Sequence, residues 1–166
     1  MGIDPGIGIT GYCFVEYQNT PKGDYFNLIT SGSIQTDKNA PHPKRLLELK
    51  VDIDFLIKKY KPDCASIEQL FFFKNQKTII PVAQARGVIL LTLEENNVSS
   101  FEYTPLVVKQ TITGHGRADK TTVKMMVKNY IELDKNIKLD DTIDSIALAL
   151  CHAQNLRFKE EIKWIK

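Results

Sequence analysis

The sequence predicts an α/β domain that opens on three antiparallel strands and then alternates helices with short strands. Three observations carry this. Residues 8–17 (GITGYCFVEY) and 25–35 (YFNLITSGSIQ) are rich in aromatic and β-branched residues and flank a Pro-Gly turn signal. From Pro43 the apolar period becomes helical. The length, 166 residues, suits one domain with a sizeable core and leaves no room for a second full one.

The elements follow in order. Residues 1–4 are too few for a full strand, so Ile3 ahead of Asp4-Pro5-Gly6 reads as a strand end entering a turn. Thr20-Pro21-Lys22-Gly23 suits a type I turn, with Pro setting φ and Gly closing it. Leu46, Leu47, Leu49, Ile53, Leu56, Ile57 and Tyr60 then recur at helical spacing, until Lys61-Pro62-Asp63 stops the helix. Residues 64–68 (CASIE) form a short buried strand ending in a carboxylate, and Phe71 to Lys77 is a loop with three aromatics and two lysines.

A helix is expected over 78–95, where Pro81 fits only in the first turn. Residues 98–103 (VSSFEY) give another strand, and Pro105 opens a short helix to about 112. Residues 113–120 (TGHGRADK) are a Gly-rich basic loop. Val123, Met126, Val127 and Tyr130 mark the next amphipathic helix. Asp140 reads as the N-cap of a last helix over 141–155, with Ile143, Ile146, Ala147 and Leu150 packed inward. The organisation expected is a single domain, 1–156, followed by a tail, 157–166, that extends the helix or frays; there is no internal repeat.

Composition excludes more than it assigns. With 43% apolar residues, 25% charged residues and a formal charge of +2, there is no basic tail and no heavily cationic coat. A polyanionic partner must therefore be held by locally placed Lys and Arg. Cys13, Cys64 and Cys151 lie far apart among apolar residues, which suits buried reduced thiols and neither a disulfide framework nor a zinc site. No apolar run approaches the ~20 residues that span a bilayer. The opening Met-Gly-Ile-Asp leaves no signal-peptide region, and Gly6 stands where a lipidation motif needs Ser or Thr. The expected location is the cytoplasm, with no membrane partner.

The chemistry-bearing residues are acids at element ends. Asp4 ends the first strand, Glu68 ends a buried one, and Asp141 and Asp144 stand one helical turn apart on one face. Beyond the strand ends of an α/β domain such groups share a crevice. Four carboxylates there repel one another unless a cation neutralises them, and hard oxygen ligands without a histidine cluster point to Mg²⁺ or Mn²⁺. Plainer readings compete. Asp4 suits a turn former, and Asp140, Asp141 and Asp144 suit first-turn charges on a helix dipole. Glu68 is harder to explain that way, because its neighbours are of buried type. Spacing alone does not choose between Asp140 and Asp141, since both share a face with Asp144.

A second group of residues suits a phosphate chain. Phe71, Phe72 and Phe73 stand beside Lys74, Asn75 and Lys77, combining aromatic faces with amide and cationic groups. Lys109, Arg117 and Lys120 flank Gly114-His115-Gly116, where glycine permits close backbone approach. His42 between two prolines reads as a surface turn. His152 reads as a packed or capping residue rather than a ligand.

Taken together, Asp4-Pro5-Gly6 with Thr10-Gly11-Tyr12, IEQLFF at 67–72, AQARGV at 83–88, the 101–120 stretch ending TGHGRADK, and DDTIDSIALAL at 140–150 resemble the RuvC family of Holliday-junction resolvases. The resemblance covers about 150 residues in order. It implies a ribonuclease-H-like fold, with a five-stranded mixed sheet, the first three strands antiparallel, and helices on both faces. It implies a catalytic and metal-binding set of Asp4, Glu68, Asp141 and Asp144, which selects Asp141 over Asp140. Phe71 becomes the wedge aromatic, and Lys109 and Lys120 the functional lysines. Phe72, Lys74, Asn75, Lys77 and Arg117 join them as DNA contacts.

The implied activity is two-metal hydrolysis with two Mg²⁺ per subunit, Mn²⁺ substituting, and Asp4 as bridging ligand. Lys120 offsets charge on the phosphate. Paired symmetric nicks would leave 5′-phosphate and 3′-hydroxyl ends. The implied partners are a four-way DNA junction, a second copy packed through the helix after Phe71–Lys77, and the RuvA–RuvB branch-migration complex. Three departures stand out: a first strand starting two or three residues late, Ala83 with Pro81 at the dimer helix, and a short tail. Against this stand a nuclease of the same fold acting on RNA or other branched DNA, and an inert junction-binding protein. A two-lobed sugar-kinase-like ATPase does not fit the length.

Overall fold

The computed structural model describes residues 1–21, 23–70, 76–133 and 140–162, with the side chains of 76–78, 141 and 157–162 outside the description. Five strands, β1 (Gly2–Asp4), β2 (Ile9–Thr20), β3 (Gly23–Gln35), β4 (Cys64–Glu68) and β5 (Ser99–Tyr103), form one sheet in the order β3-β2-β1-β4-β5. β1 pairs antiparallel with β2, and β2 with β3, while β4 runs parallel to both β1 and β5. This is the mixed sheet the resemblance implies.

Among the described residues five helices accompany it: α1 (His42–Tyr60), α2 (Gln76–Glu95), α3 (Pro105–Thr113), α4 (Lys120–Tyr130) and α5 (Asp140–Ile162). They divide between two cores. Ile3, Ala65 and Ile67 are buried against Leu49, Ile53 and Ile57 of α1 and Ala85, Ile89 and Leu93 of α2. On the opposite face α5 packs with Val108 and Ile112 of α3 and Val123 and Val127 of α4. Side chains alternate along a strand, so one β1 or β4 segment serves both cores. Among the described residues no helix is long and apolar enough to cross a membrane.

Several boundaries differ from the sequence-based expectation. Residues 2–4 do form a strand, because β1 is paired on both sides and needs no length of its own. A cavity of about 510 Å³ is lined by Met1, Phe14, Tyr17, Tyr60, Cys64 and His152 among others. His42 is not in a turn: it starts α1, and its Nε2 lies 2.7 Å from Gln84 Oε1 of α2. α2 begins at Gln76, so Pro81 sits inside the helix rather than in its first turn. There it removes one i→i−4 hydrogen bond close to the helix start. α4 begins at Lys120 because Asp119 caps it, accepting from the Thr122 N–H at 2.7 Å. Asp140 is the first residue of α5 rather than its cap, and α5 continues through residue 156 to Ile162. Cys13 and Cys151 are buried, as expected, but Cys64 is half-buried.

Candidate active site

Strand parity and one glycine set the geometry. In β1, Ile3 faces α1 and α2, so Gly2 and Asp4 face α5. In β4, Ala65 and Ile67 face α1 and α2, so Cys64, Ser66 and Glu68 face α5. The parallel register sets Gly2 beside Ser66 and Ile3 beside Ile67, and one more step brings Asp4 alongside Glu68 at the carboxyl ends of both strands. α5 approaches so closely that a Cβ on Gly2 would lie 2.0 Å from the Ser145 carbonyl oxygen; only glycine permits that contact. The helix runs antiparallel to β1 and β4. Ser145 lies over Gly2, and His152 sits 3.3 Å from Cys64 Sγ at the far end. Its first turn, with Asp140, Asp141 and Asp144, therefore stands over the strand ends.

α3 and α4 close the site from the side. Glu68, Lys109, Lys120 and Asp144 line one cavity of about 220 Å³, floored by Val108, Val123 and Ala147. Lys120 Nζ lies 3.1 Å from Asp144 Oδ2. Burial pushes the Glu68 carboxyl above its ordinary range, the Asp144 charge adds to the rise, and Lys120 and Lys109 oppose it. Burial would lower the Lys120 ammonium, but its hydrogen bond to Asp144 and the charges of Asp144, Asp140 and Asp4 raise it overall. The acids and the lysine thus share one field.

The donor set fits a hard divalent cation. A half-buried carboxylate pushed toward its neutral form by burial, and further by a second carboxylate, is the situation that a cation relieves. Among the described residues no three acids, histidines or cysteines yet stand close enough to hold one. The Asp141 side chain lies outside that description, and the Lys120 ammonium already pairs with Asp144. The residues that would hold the ion are Asp4, Glu68 and Asp144, with Asp141 in the same helical turn.

The other expected contacts divide. Lys109 is brought to Glu68, while Arg117 and His115 are exposed on the loop between α3 and α4. Phe71, Phe72, Phe73, Lys74 and Asn75 lie outside the described residues, and so does the side chain of Lys77. His152 is packed, as expected: it stacks on Phe101 with centroids 4.3 Å apart, and its Nδ1 lies 2.7 Å from Tyr103 Oη. Sequence reasoning missed the residues that hold the loops. Gln110 donates to the Gly114 carbonyl at 2.8 Å and accepts from the Gly116 N–H at 2.9 Å, bracing the basic loop. Thr10, Thr36 and Arg45 brace the loop after Asp4. No periodic pattern marks such residues: Gln110 and Thr10 serve loop backbone four to six positions away, and Thr36 and Arg45 reach Ile7 from 29 and 38 positions away.

The chain matches the family model for crossover junction endodeoxyribonuclease RuvC over residues 1–152. Two relatives described as crossover junction endodeoxyribonuclease RuvC cover 92% of this chain. That of Caldicellulosiruptor saccharolyticus is 49% identical, with 90% of its own length covered, and that of Petrotoga mobilis is 47% identical, with 91% covered. Among solved structures, Thermus thermophilus RuvC in complex with a Holliday junction substrate superposes with a TM-score of 0.87 at 27% identity, covering 95% of this chain and 94% of that one.

Proposed function

This chain belongs to the RuvC family of crossover junction endodeoxyribonucleases, and from that premise we propose that Asp4, Glu68, Asp141 and Asp144 are the carboxylates that hold its catalytic metal. The enzyme is a metal-dependent endonuclease that cuts four-way DNA junctions. The observation that carries the site assignment is the convergence of Asp4, Glu68 and the first turn of α5 at one end of the sheet.

When bound, two Mg²⁺ ions would activate the attacking water and stabilise the leaving 3′ oxygen, with Mn²⁺ able to substitute. The chain's own residues do the rest. Asp4, Glu68, Asp141 and Asp144 would hold the ions at the strand ends. Lys120 stands where charge develops on the scissile phosphate and offsets it. Lys109, beside Glu68, holds a neighbouring phosphate, and Arg117 extends the cationic rim. Phe71, with Phe72, Lys74, Asn75 and Lys77, engages the unpaired bases at the junction centre. The products are paired symmetric nicks with 5′-phosphate and 3′-hydroxyl ends. Residues 1–156 form the nuclease domain, and 157–166 are its tail.

The enzyme works as a homodimer that supplies one active site per cut strand, in the cytoplasm, with the RuvA–RuvB branch-migration complex as its partner. Apolar side chains left in solvent on adjacent helices support pairing through α2. Ile80 and Leu91 are 64% and 56% exposed on α2, and Leu47, Val51 and Phe55 form an exposed i, i+4, i+8 stripe on α1. The test is a substrate panel of four-way junction, three-way junction, duplex and RNA–DNA hybrid in Mg²⁺, Mn²⁺ and Ca²⁺. The reading expects paired nicking of the four-way junction in Mg²⁺ and Mn²⁺. Preferential cutting of the hybrid would favour a ribonuclease instead.

A further inference from the structure

We propose that Arg45 is a positioning residue for Asp4, acting by locking the loop that follows β1. The inference rests on the reading of Asp4 as a metal-holding carboxylate. Asp4 is the last residue of its strand, with pairing to β4 ending at Ile3 and pairing to β2 ending at Asp4 itself. Beyond it the chain turns through Pro5 to Gly8 without sheet support. Among the described residues, side chains and one backbone hydrogen bond hold this turn. Thr10 accepts from the Gly6 N–H at 3.2 Å and donates its hydroxyl to the Gly6 carbonyl at 2.5 Å. The Thr36 hydroxyl donates to the Ile7 carbonyl, and its N–H donates to the Gly8 carbonyl at 3.2 Å.

Arg45 ties α1 to this turn. It comes from α1, on the opposite face of the sheet from α5. Its Nε–H donates to Thr36 Oγ1 at 2.9 Å, and its Nη2 donates to the Ile7 carbonyl at 3.1 Å. The guanidinium fork therefore fixes both the hydroxyl and the carbonyl that hydroxyl serves, a geometry a lysine lacks. Arg45 is half-buried, and among the described residues no carboxylate lies within ion-pair distance of it. Its charge is spent on backbone and hydroxyl rather than on an ion pair. Such outer partners typically change metal affinity by 10–100-fold, and a misplacement of about 1 Å costs on the order of 100-fold in rate.

The test compares Arg45→Ala, Arg45→Lys and the uncharged Thr36→Val, singly and as Arg45→Ala with Thr36→Val. Asp4→Asn is the control. Readouts are single-turnover junction cleavage, Mn²⁺ binding to the DNA-free protein by calorimetry, and junction affinity in Ca²⁺ across a salt series. The proposal expects each single variant to cleave about 10–100-fold slower and bind Mn²⁺ about 10-fold weaker. Junction affinity and its salt slope should be unchanged, and the double variant no worse than the poorer single, as for residues acting through one network. Thr36→Val keeps the side-chain shape and carries the test if Arg45→Ala fails to fold.

If Arg45→Ala weakens junction binding and flattens the salt slope by about one contact while Thr36→Val does nothing, Arg45 touches phosphate and the proposal is overturned. If both variants cleave and bind Mn²⁺ normally while Asp4→Asn is inactive, only the positioning role fails. If Asp4→Asn cleaves normally, the reading of Asp4 and the role of Arg45 fall together.

Discussion

Replacing Lys120 with Met separates a structural ion pair from a catalytic charge, because the two roles differ in size. Lys120 Nζ lies 3.1 Å from Asp144 Oδ2, with side chains 68% and 34% exposed. A pair that open to solvent contributes about 0.2–1 kcal/mol. A 166-residue domain melts with an entropy of about 0.35 kcal/mol/K, so the loss lowers Tm by roughly 1–3 °C. Removing one preorganised charge from a developing anion instead slows chemistry by about 10²–10³. Lys120 also opposes the upward shift of Glu68, so its loss pushes that carboxyl higher still. Releasing Asp144 from its ammonium partner leaves the metal less competition, and the Mg²⁺ needed for half-maximal rate should not increase. The assay is single-turnover cleavage of a four-way junction over a Mg²⁺ titration, with thermal melts of the same samples. The reasoning is refuted if the saturating rate falls less than about fivefold, or if extra Mg²⁺ restores it fully.

Three further outcomes follow from the site. Glu68 binds its proton more tightly folded than unfolded, so the metal-free protein should lose stability as pH rises from the ordinary glutamate range through the raised folded value. Melts with and without Mg²⁺ check this: Glu68→Gln should flatten the metal-free slope and abolish stabilisation by Mg²⁺, and a slope unchanged by the substitution would contradict it. Phe71→Ala should keep Mn²⁺ binding yet cut intact junctions at least tenfold more slowly; a normal rate on them would remove the wedge role. Leu91→Glu or Ile80→Glu, each placing a charge among the exposed apolar side chains of α2, should shift the protein to monomer in sedimentation while its melting temperature changes by only a few degrees.

The helices and the carboxylate pattern were legible in the sequence because periodicity and end position are local properties. Leu49, Ile53, Leu56 and Ile57 repeat at helical spacing and are buried in one core. Glu68 reads as out of place at the end of an apolar strand, and burial and the neighbouring Asp144 do shift its carboxyl upward. Three residues of β1 show no pattern of their own, because pairing on both sides makes them a strand. Lys120 reads as loop because Asp119, its cap, belongs to the Gly-rich basic stretch, and His42 reads as turn between its prolines although Pro43 suits a first helical turn. Arg45 carried no signal at all: a single arginine in an amphipathic helix gains its meaning from Thr36 and Ile7, which reach it only in the fold. Asp140 and Asp141 share the first turn of α5, so spacing could not separate them.

The same placement explains why a formal charge of +2 says little about the surface. Acids gathered at the strand ends offset Lys109 and Lys120 beside them, and local potential is set by that arrangement rather than by the total. The claim on which everything else depends is that these acids hold the metal that cuts the junction. Single-turnover cleavage of a four-way junction by Asp4→Asn in saturating Mg²⁺, with junction binding measured in Ca²⁺, tests it most directly. Junction binding should be undiminished and cleavage reduced by about 10³-fold or more. Cleavage at the wild-type rate would contradict it.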